Sequence, residues 1–434
     1  MRLESWGLHP HVDSEILLPG DSSQAAACVV SGPPLVAYGL GRSYGDSALA
    51  PRALKTERLN FLLSFDEASG VVDCLAGVSL DELLRVFVPK GWFLPVTPGT
   101  KYVSVGGAIA SDVHGKNHHV AGCFSSGVLD FDLLLADGSV VRCSREERPE
   151  LFQATCGGMG LTGVVLRAKV RLQKIKSALI DQVTYKARCL EEALDLFEKT
   201  RSVTYSVAWI DCLSRGASLG RSLLMVGEHA QEGPLKPHTK PFLDVPFMPP
   251  VSPVHPWTMK AFNTAYYHQA LRKEKRNRVH YEPFFYPLDM VLHWNRLYGK
   301  GGFTQYQFVL PLAVGARGLR RILERIAASG KGSFLAVLKV FGEANANPLS
   351  FPFGGYTLAL DFKIESGLFD LLEELDREVL ELGGRLYLTK DVRMSEATFK
   401  RSYPRWREFQ ELREKIGAKG RFASLQSRRL GLDV

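Results

Sequence analysis

The chain has 434 residues, 45% hydrophobic and 23% charged, which is globular usage rather than disorder and too long for one ordinary core, so two or three domains are expected. The formal charge of +8 suits anionic ligands such as phosphates or an acidic membrane surface, and gives no argument for nucleic acid. The seven cysteines, Cys28, Cys74, Cys123, Cys143, Cys156, Cys189 and Cys212, include no C-x-x-C pair, so neither a disulfide framework nor a zinc site is expected and a reducing compartment fits.

Residues 1–19 lack an apolar segment behind basic residues, so no secretory signal is read. No apolar run reaches the ~18 residues of a membrane span. A cytoplasmic protein, or one peripheral at the inner membrane, is the expectation. In chain order, residues 35–38 read as a strand that enters a loop at 39–46. Residues 80–88 read as an amphipathic helix with Asp81 and Glu82 near its start. Residues 131–136 and 139–143 flank Asp137-Gly138 as a hairpin. Residues 164–172 alternate like a half-buried strand. A strand at 181–186, a helix at 190–200 and a strand at 206–211 follow. The segment 228–257, with Pro246, Pro249, Pro250, Pro253 and Pro256, reads as a long loop, and 272–278 is a basic stretch. Strands are predicted at 303–310, 334–340 and 356–362, and a helix over 368–382 that stops at Gly383-Gly384. The tail 395–419 is basic and mostly helical. Strands with separate helices indicate an α+β fold.

Three small-residue clusters carry the chemistry. The first is Gly39-Leu40-Gly41-Arg42-Ser43-Tyr44-Gly45-Asp46. Such a loop exposes backbone N–H groups to a phosphate, and Arg42 adds charge-assisted bonds; alone it reads equally as a tight turn. No βαβ unit follows, so it is not the G-x-G-x-x-G fingerprint. The second is Thr97-Pro98-Gly99-Thr100 with Ser104-Val105-Gly106-Gly107-Ala108, and the third Gly157-Gly158-Met159-Gly160-Leu161-Thr162-Gly163. Small residues let the backbone approach a large flat ligand. Asp112, His114, His118 and His119 lie within eight residues. A metal site would need helical spacing, which Gly115 opposes, so a cofactor-facing loop and no metal are expected.

The stretches GLGRSYGD, TPGTKYVSVGGAIASDVHGKNHH and GGMGLTG resemble the FAD domain of the vanillyl-alcohol oxidase class, with its PCMH-type flavin site. FYPLDMVLHWNRLYG, GGFTQYQFVLP, FLAVLKVFG, LSFPFGGYTLALDF and GGRLYLTKDVR resemble, more narrowly, the decaprenylphosphoryl-β-D-ribose oxidase family. The likeness runs from about residue 35 to the C-terminus. It implies a two-part FAD-binding domain, 1–174 with 386–434, and an inserted substrate domain, 175–385, built on an antiparallel sheet. FAD contacts are implied for Gly39, Gly41, Arg42, Ser43, Tyr44, Gly45 and Asp46; for Gly99, Thr100, Ser104, Val105, Gly106 and Gly107; for Ser111, Asp112, Val113, His114, Gly115 and Asn117; and for Gly163, Val165 and Tyr387. Many relatives attach flavin through a histidine where this chain has Tyr44, so non-covalent FAD is implied.

The family chemistry needs a hydroxyl-bearing carbon over the flavin, a base and a cation near the ring. Lys390 matches the family's active-site lysine and His114 its flavin-side histidine. Tyr286, Gln305, Gln307, Lys339 and Trp209 match substrate-pocket positions, and the spacing of Gln305 and Gln307 puts both on one strand face. Lys390, Tyr286 and His114 all remain candidates for the base. Thr357 and Ala359 replace an asparagine and a cysteine found in some members, which leaves the sugar open. The implied reaction is oxidation of the 2-hydroxyl of a polyprenyl-phosphoryl ribose to a 2-keto product. It is the first half of an epimerisation to arabinose, completed by an NAD(P)H-dependent short-chain reductase. A soluble sugar alcohol or aldonolactone is the alternative substrate, and a non-enzymatic basic binding module the reading from another class. Phe242, Phe247, Met248 and Trp257, beside the basic stretch, are expected to meet a bilayer and admit the lipid.

Overall fold

Strand Val36–Tyr38 runs parallel to Arg52–Lys55, which pairs in parallel with Glu15–Leu17 on its other side. Parallel pairing needs a crossover. Helix Ser22–Val30, capped by Asp21, supplies it. In this computed structural model, which describes residues 1–237, 243–250 and 252–433, the three-stranded sheet stands beside an antiparallel one. The latter has the order Val140–Ser144, Val128–Leu134, Val164–Arg171, Val71–Leu75, Leu62–Asp66. The predicted hairpin forms at Asp137-Gly138, where Gly138 takes a φ of 86°. Helix Leu80–Phe87 starts from a reciprocal Ser79–Glu82 capping box.

An eight-stranded sheet, antiparallel throughout, fills the middle of the chain. Its order is Glu274–His280, Leu179–Ala187, Ser222–His229, Tyr205–Ile210, Ala336–Phe341, Gly355–Lys363, Phe303–Pro311, Arg385–Leu386. Side chains alternate between faces. One face (Ala208, Leu338, Leu358, Leu360, Phe308) packs under helices Leu190–Lys199, Leu312–Ser329 and Leu368–Glu381. The other carries Trp209, Lys339, Thr357, Asp361, Gln305 and Gln307, by the same alternation and register.

Three elements depart from expectation. Helix Leu312–Ser329 went unread because Gly315 and Gly318 weaken a helical signal. Both glycines lie against the sheet: a Cβ at Gly315 would come 2.3 Å from Tyr356 Cδ2, and one at Gly318 2.6 Å from Leu310 Cδ1. The segment 228–257 is only partly loop. Strand Ser222–His229 takes its start, Leu243–Asp244 pairs with Val291–Leu292, and Pro256 opens helix Pro256–His268 at its first turn. Phe242 lies outside the described residues. The basic stretch becomes edge strand Glu274–His280, whose charges guard an open edge.

The tail returns to the start of the chain. Leu35 bridges Phe422, and Arg429 pairs with Asp46 at 2.7 Å. Arg413 is fully buried, donating to the carbonyls of Leu161, Phe422 and Leu432 and pairing with Asp433. All seven cysteines are unpaired. Among the described residues no cluster of His, Cys, Asp or Glu can hold a metal, and no helix is long and apolar enough to cross a membrane.

Candidate active site

The three glycine clusters meet although 125 or so residues separate their ends. Gly39 lies so close to Ser104 that a Cβ would stand 2.5 Å from its hydroxyl. Ser104 caps helix Val105–Ala110, accepting the Gly107 N–H at 3.2 Å. Gly157 N–H and Met159 N–H donate to the carbonyls of Ile109 and Ala110 at 3.0 and 2.9 Å, tying the third cluster to that helix. Gly163 holds a φ of 158° against Leu134, and Val105 and Val165 are core residues.

The first loop is clamped. The Ser43 carbonyl accepts the Trp6 N–H, and Tyr44 N–H donates to Thr389 at 3.1 Å. A Cβ on Gly45 would stand 1.7 Å from the Asp391 carbonyl oxygen. Gly41 has a φ of 65°. The Arg42 guanidinium lies 4.0 Å from the Trp6 ring centroid, and its Nε is buried with no partner. Thr100 and the Lys101 N–H hydrogen-bond Asp289, whose carboxyl burial pushes up to about 6. Gly99 faces open space.

In the next segment, Asp112 takes a φ of 39°. Its carboxylate accepts from Ser125 N–H, Asn345, Asn347 and Ser350 at 2.7–3.1 Å, so its oxygens serve the protein. Val113 packs in the core, Gly115 lies against the Thr97 carbonyl, and Asn117 donates to Pro95 at 2.8 Å. Tyr387 stacks on Phe351 at 4.5 Å and donates to the Ser111 carbonyl. His114 sits among Phe341, Phe351 and Tyr387. Burial, then the charges of Lys339, His118 and Lys390, hold its proton affinity well below the usual range. Neutral His114 accepts the Gln307 amide at Nε2, 3.2 Å away. Its proton is then on Nδ1, which is buried and unpartnered: a donor aimed at no protein acceptor.

The polar sheet face completes the site. Gln307 also donates to Thr357 at 3.2 Å, and Gln305 to Asp361 at 2.5 Å. Lys390 holds its ammonium 3.7 Å above the Tyr44 ring centroid. Burial pulls Lys390 down and pushes Asp361 up, and each opposes the other's shift by its charge. Lys339 is pulled down to about 8 by burial, and Lys116 to about 7 by burial and the neighbouring Lys339. Neither lysine has an ion-pair partner among the described residues.

Two predicted residues have their polar groups engaged by the protein. The Tyr286 hydroxyl shares a hydrogen bond with Thr97 at 2.7 Å in a fully buried position, and burial drives its acidity down. Trp209 shares the polar face but donates to the Phe334 carbonyl and packs on Tyr266. Asp361 and Lys116 escaped the sequence reading. Only the alternation of Thr357, Ala359 and Asp361 on one face hinted at Asp361.

These residues fit a bound flavin dinucleotide: a close-approach glycine, an open one, an unpartnered buried Arg42 Nε and the free Nδ1–H of His114. The FAD binding domain family matches residues 18–144. The chain is 38% identical to the decaprenylphosphoryl-β-D-ribose oxidase of Mycolicibacterium smegmatis, across 99% of this chain and 97% of that one. It is 34% identical to an uncharacterised Streptomyces coelicolor protein, across 82% of this chain and all of that one. A Delta(24)-sterol reductase of Rattus norvegicus is 32% identical over 26% of the chain and 22% of its own length. With a PCMH-type FAD-binding domain and a near full-length relative at this identity, the chain belongs to the decaprenylphosphoryl-β-D-ribose oxidase family.

Proposed function

We propose that this FAD-dependent oxidoreductase oxidises the 2-hydroxyl of a polyprenyl-phosphoryl ribose to the 2-keto form. In this reading 1–174 and 386–434 hold FAD and 175–385 hold the sugar. Bound FAD supplies the two-electron acceptor. The loops at 39–46, 99–107 and 111–117, with Gly163, Val165 and Tyr387, would hold it without a covalent bond, since Tyr44 offers no imidazole.

The observation that carries the reading is the cluster of polar side chains on one face of the central strands of the eight-stranded sheet. Gln305, Gln307 and Thr357 offer donors and acceptors to a polyol, and Lys390 stands against Tyr44 of the FAD loop. Lys390 is the group best suited to take the hydroxyl proton, because burial brings its affinity toward neutrality. Tyr286 is engaged with Thr97, and His114 is a weak base suited to donate from Nδ1. Lys116 and Lys339, two desolvated amines whose protonated forms an anion would stabilise, favour an anionic substrate and thus a sugar phosphate over the soluble sugar alternative.

The carrier lipid would enter from a bilayer. Phe247, Trp257 and Leu271 are exposed, and the basic edge strand Glu274–His280 follows Leu271 in the chain. A short-chain reductase using NAD(P)H would complete the epimerisation.

Anaerobic mixing tests the reading. Polyprenyl-phosphoryl ribose should bleach the flavin and yield a product lighter by one pair of hydrogens. Bleaching by free sugars or aldonolactones alone would replace it with the alternative. Trp257→Ser with Leu271→Ser should weaken sedimentation with anionic vesicles, and unchanged sedimentation would remove the membrane contact.

A further inference from the structure

Asp361 lies on the polar sheet face, 1% exposed and opposite Gln305 in register. Its Oδ1 accepts from Gln305 Nε2 at 2.5 Å, while Oδ2 is buried with no partner. Its own N–H donates to Ser333 Oγ at 3.1 Å, which pins the strand there. Lys390 lies over the Tyr44 ring, 3.7 Å from its centroid, and that ring packs on Phe303, two residues before Gln305 on the same strand face. Lys390 and the phenols of Tyr44 and Tyr298 thus feel the Asp361 charge, with no ion pair between Lys390 and Asp361. The Tyr298 hydroxyl is likewise buried and unpartnered. The charges acting on Lys390 are that of Asp361, which favours the ammonium, and that of Lys339, which opposes it. A buried carboxylate with a bare oxygen is unfavourable in itself, and such carboxyl–amine pairs gather where protons move.

We propose that Asp361 is a positioning residue of this site: it holds Gln305 with one oxygen and sets the charge state of Lys390, so that the pair together accepts the proton of the substrate hydroxyl. This rests on the oxidase reading above. The two resting groups hold one proton between them, and the form that reacts is the amine with the carboxyl. Oxidation breaks the substrate O–H bond and gives its proton to the amine. The adjacent C–H bond breaks with its electron pair, which passes with the hydrogen to FAD. The sugar carbon is oxidised, the flavin is reduced, and the pair's gain of one positive charge balances the hydride.

The test is Asp361→Asn in the FAD-loaded protein. Competitive acetylation of Lys390 across pH, read by peptide mass spectrometry, follows the amine without substrate. Its midpoint should fall by about one pH unit or more, because burial and Lys339 then act unopposed. Flavin bleaching by polyprenyl-phosphoryl ribose should slow by about tenfold or more, with its acid limb moved the same way. Asp361→Ala gives the same readings should the asparagine variant not fold. An unmoved Lys390 midpoint overturns the proposal. So does a moved midpoint with an unmoved acid limb. If the wild-type flavin is not bleached by this substrate, the substrate reading fails alone, and the acetylation midpoint still decides the role of Asp361.

Discussion

The ammonium of Lys390 lies 3.7 Å above the ring centroid of Tyr44. The contact joins the tail to the first glycine loop, next to the hydrogen bond between Tyr44 N–H and the Thr389 carbonyl. It therefore places a partly desolvated amine where the first glycine loop meets the polar face of the eight-stranded sheet. Lys390→Met keeps the length of the side chain and removes the proposed base. Flavin reduction should slow by roughly 10²–10⁴-fold, with flavin content and melting temperature close to wild type. Stopped-flow bleaching and the visible spectrum check both parts.

Tyr44 also bears on how the flavin is held. Its ring packs edge-on against Phe303 at 5.3 Å, and burial keeps the phenol protonated. Acid precipitation should release all the flavin into the supernatant. Yellow colour that stays with the pellet would show a covalent bond elsewhere in the chain.

Gly45 tests the clamp on that loop. A Cβ there would stand 1.7 Å from the backbone oxygen of Asp391, and backbone cannot rotate away as a side chain can. Gly45→Ala should cost about 1–3 kcal/mol or more. It should also weaken flavin retention, since Gly45 lies beside Tyr44 and Asp46. Denaturant melts and flavin titration of the refolded protein measure the two effects.

His118 ties stability to pH. Its Nδ1 accepts the Gly342 N–H at 3.1 Å, so the folded ring is neutral. Burial, then the charges of Lys339 and His119, lower its value from 6.5 to about 3. The unfolded chain thus binds this proton from near pH 6.5 downward while the folded chain refuses it until about pH 3. Stability from this group is complete above that window and is lost as pH falls through it. His118→Gln removes the term. The advantage of wild type in melting temperature should shrink steadily on acidification, and a constant difference would refute the assignment.

Local signals were legible without coordinates. The strand and loop at 35–46, the hairpin at Asp137-Gly138, the helix ending at Gly383 and the shared face of Gln305 and Gln307 all follow from turn chemistry and periodicity over a few residues. Tyr44 in place of a histidine is equally a one-position fact. Helix Leu312–Ser329 was hidden because its glycines are explained by Tyr356 and Leu310, which lie on other strands. The tertiary structure alone decided which polar groups share a pocket. Asp361 meets Gln305 through strand register, Lys116 meets Lys339 across more than two hundred residues of chain, and Asp112 gains its donors from Asn345, Asn347 and Ser350. Alternation tells which face a side chain takes, but the partner across that face is chosen by non-local pairing and burial, which no short window of sequence contains.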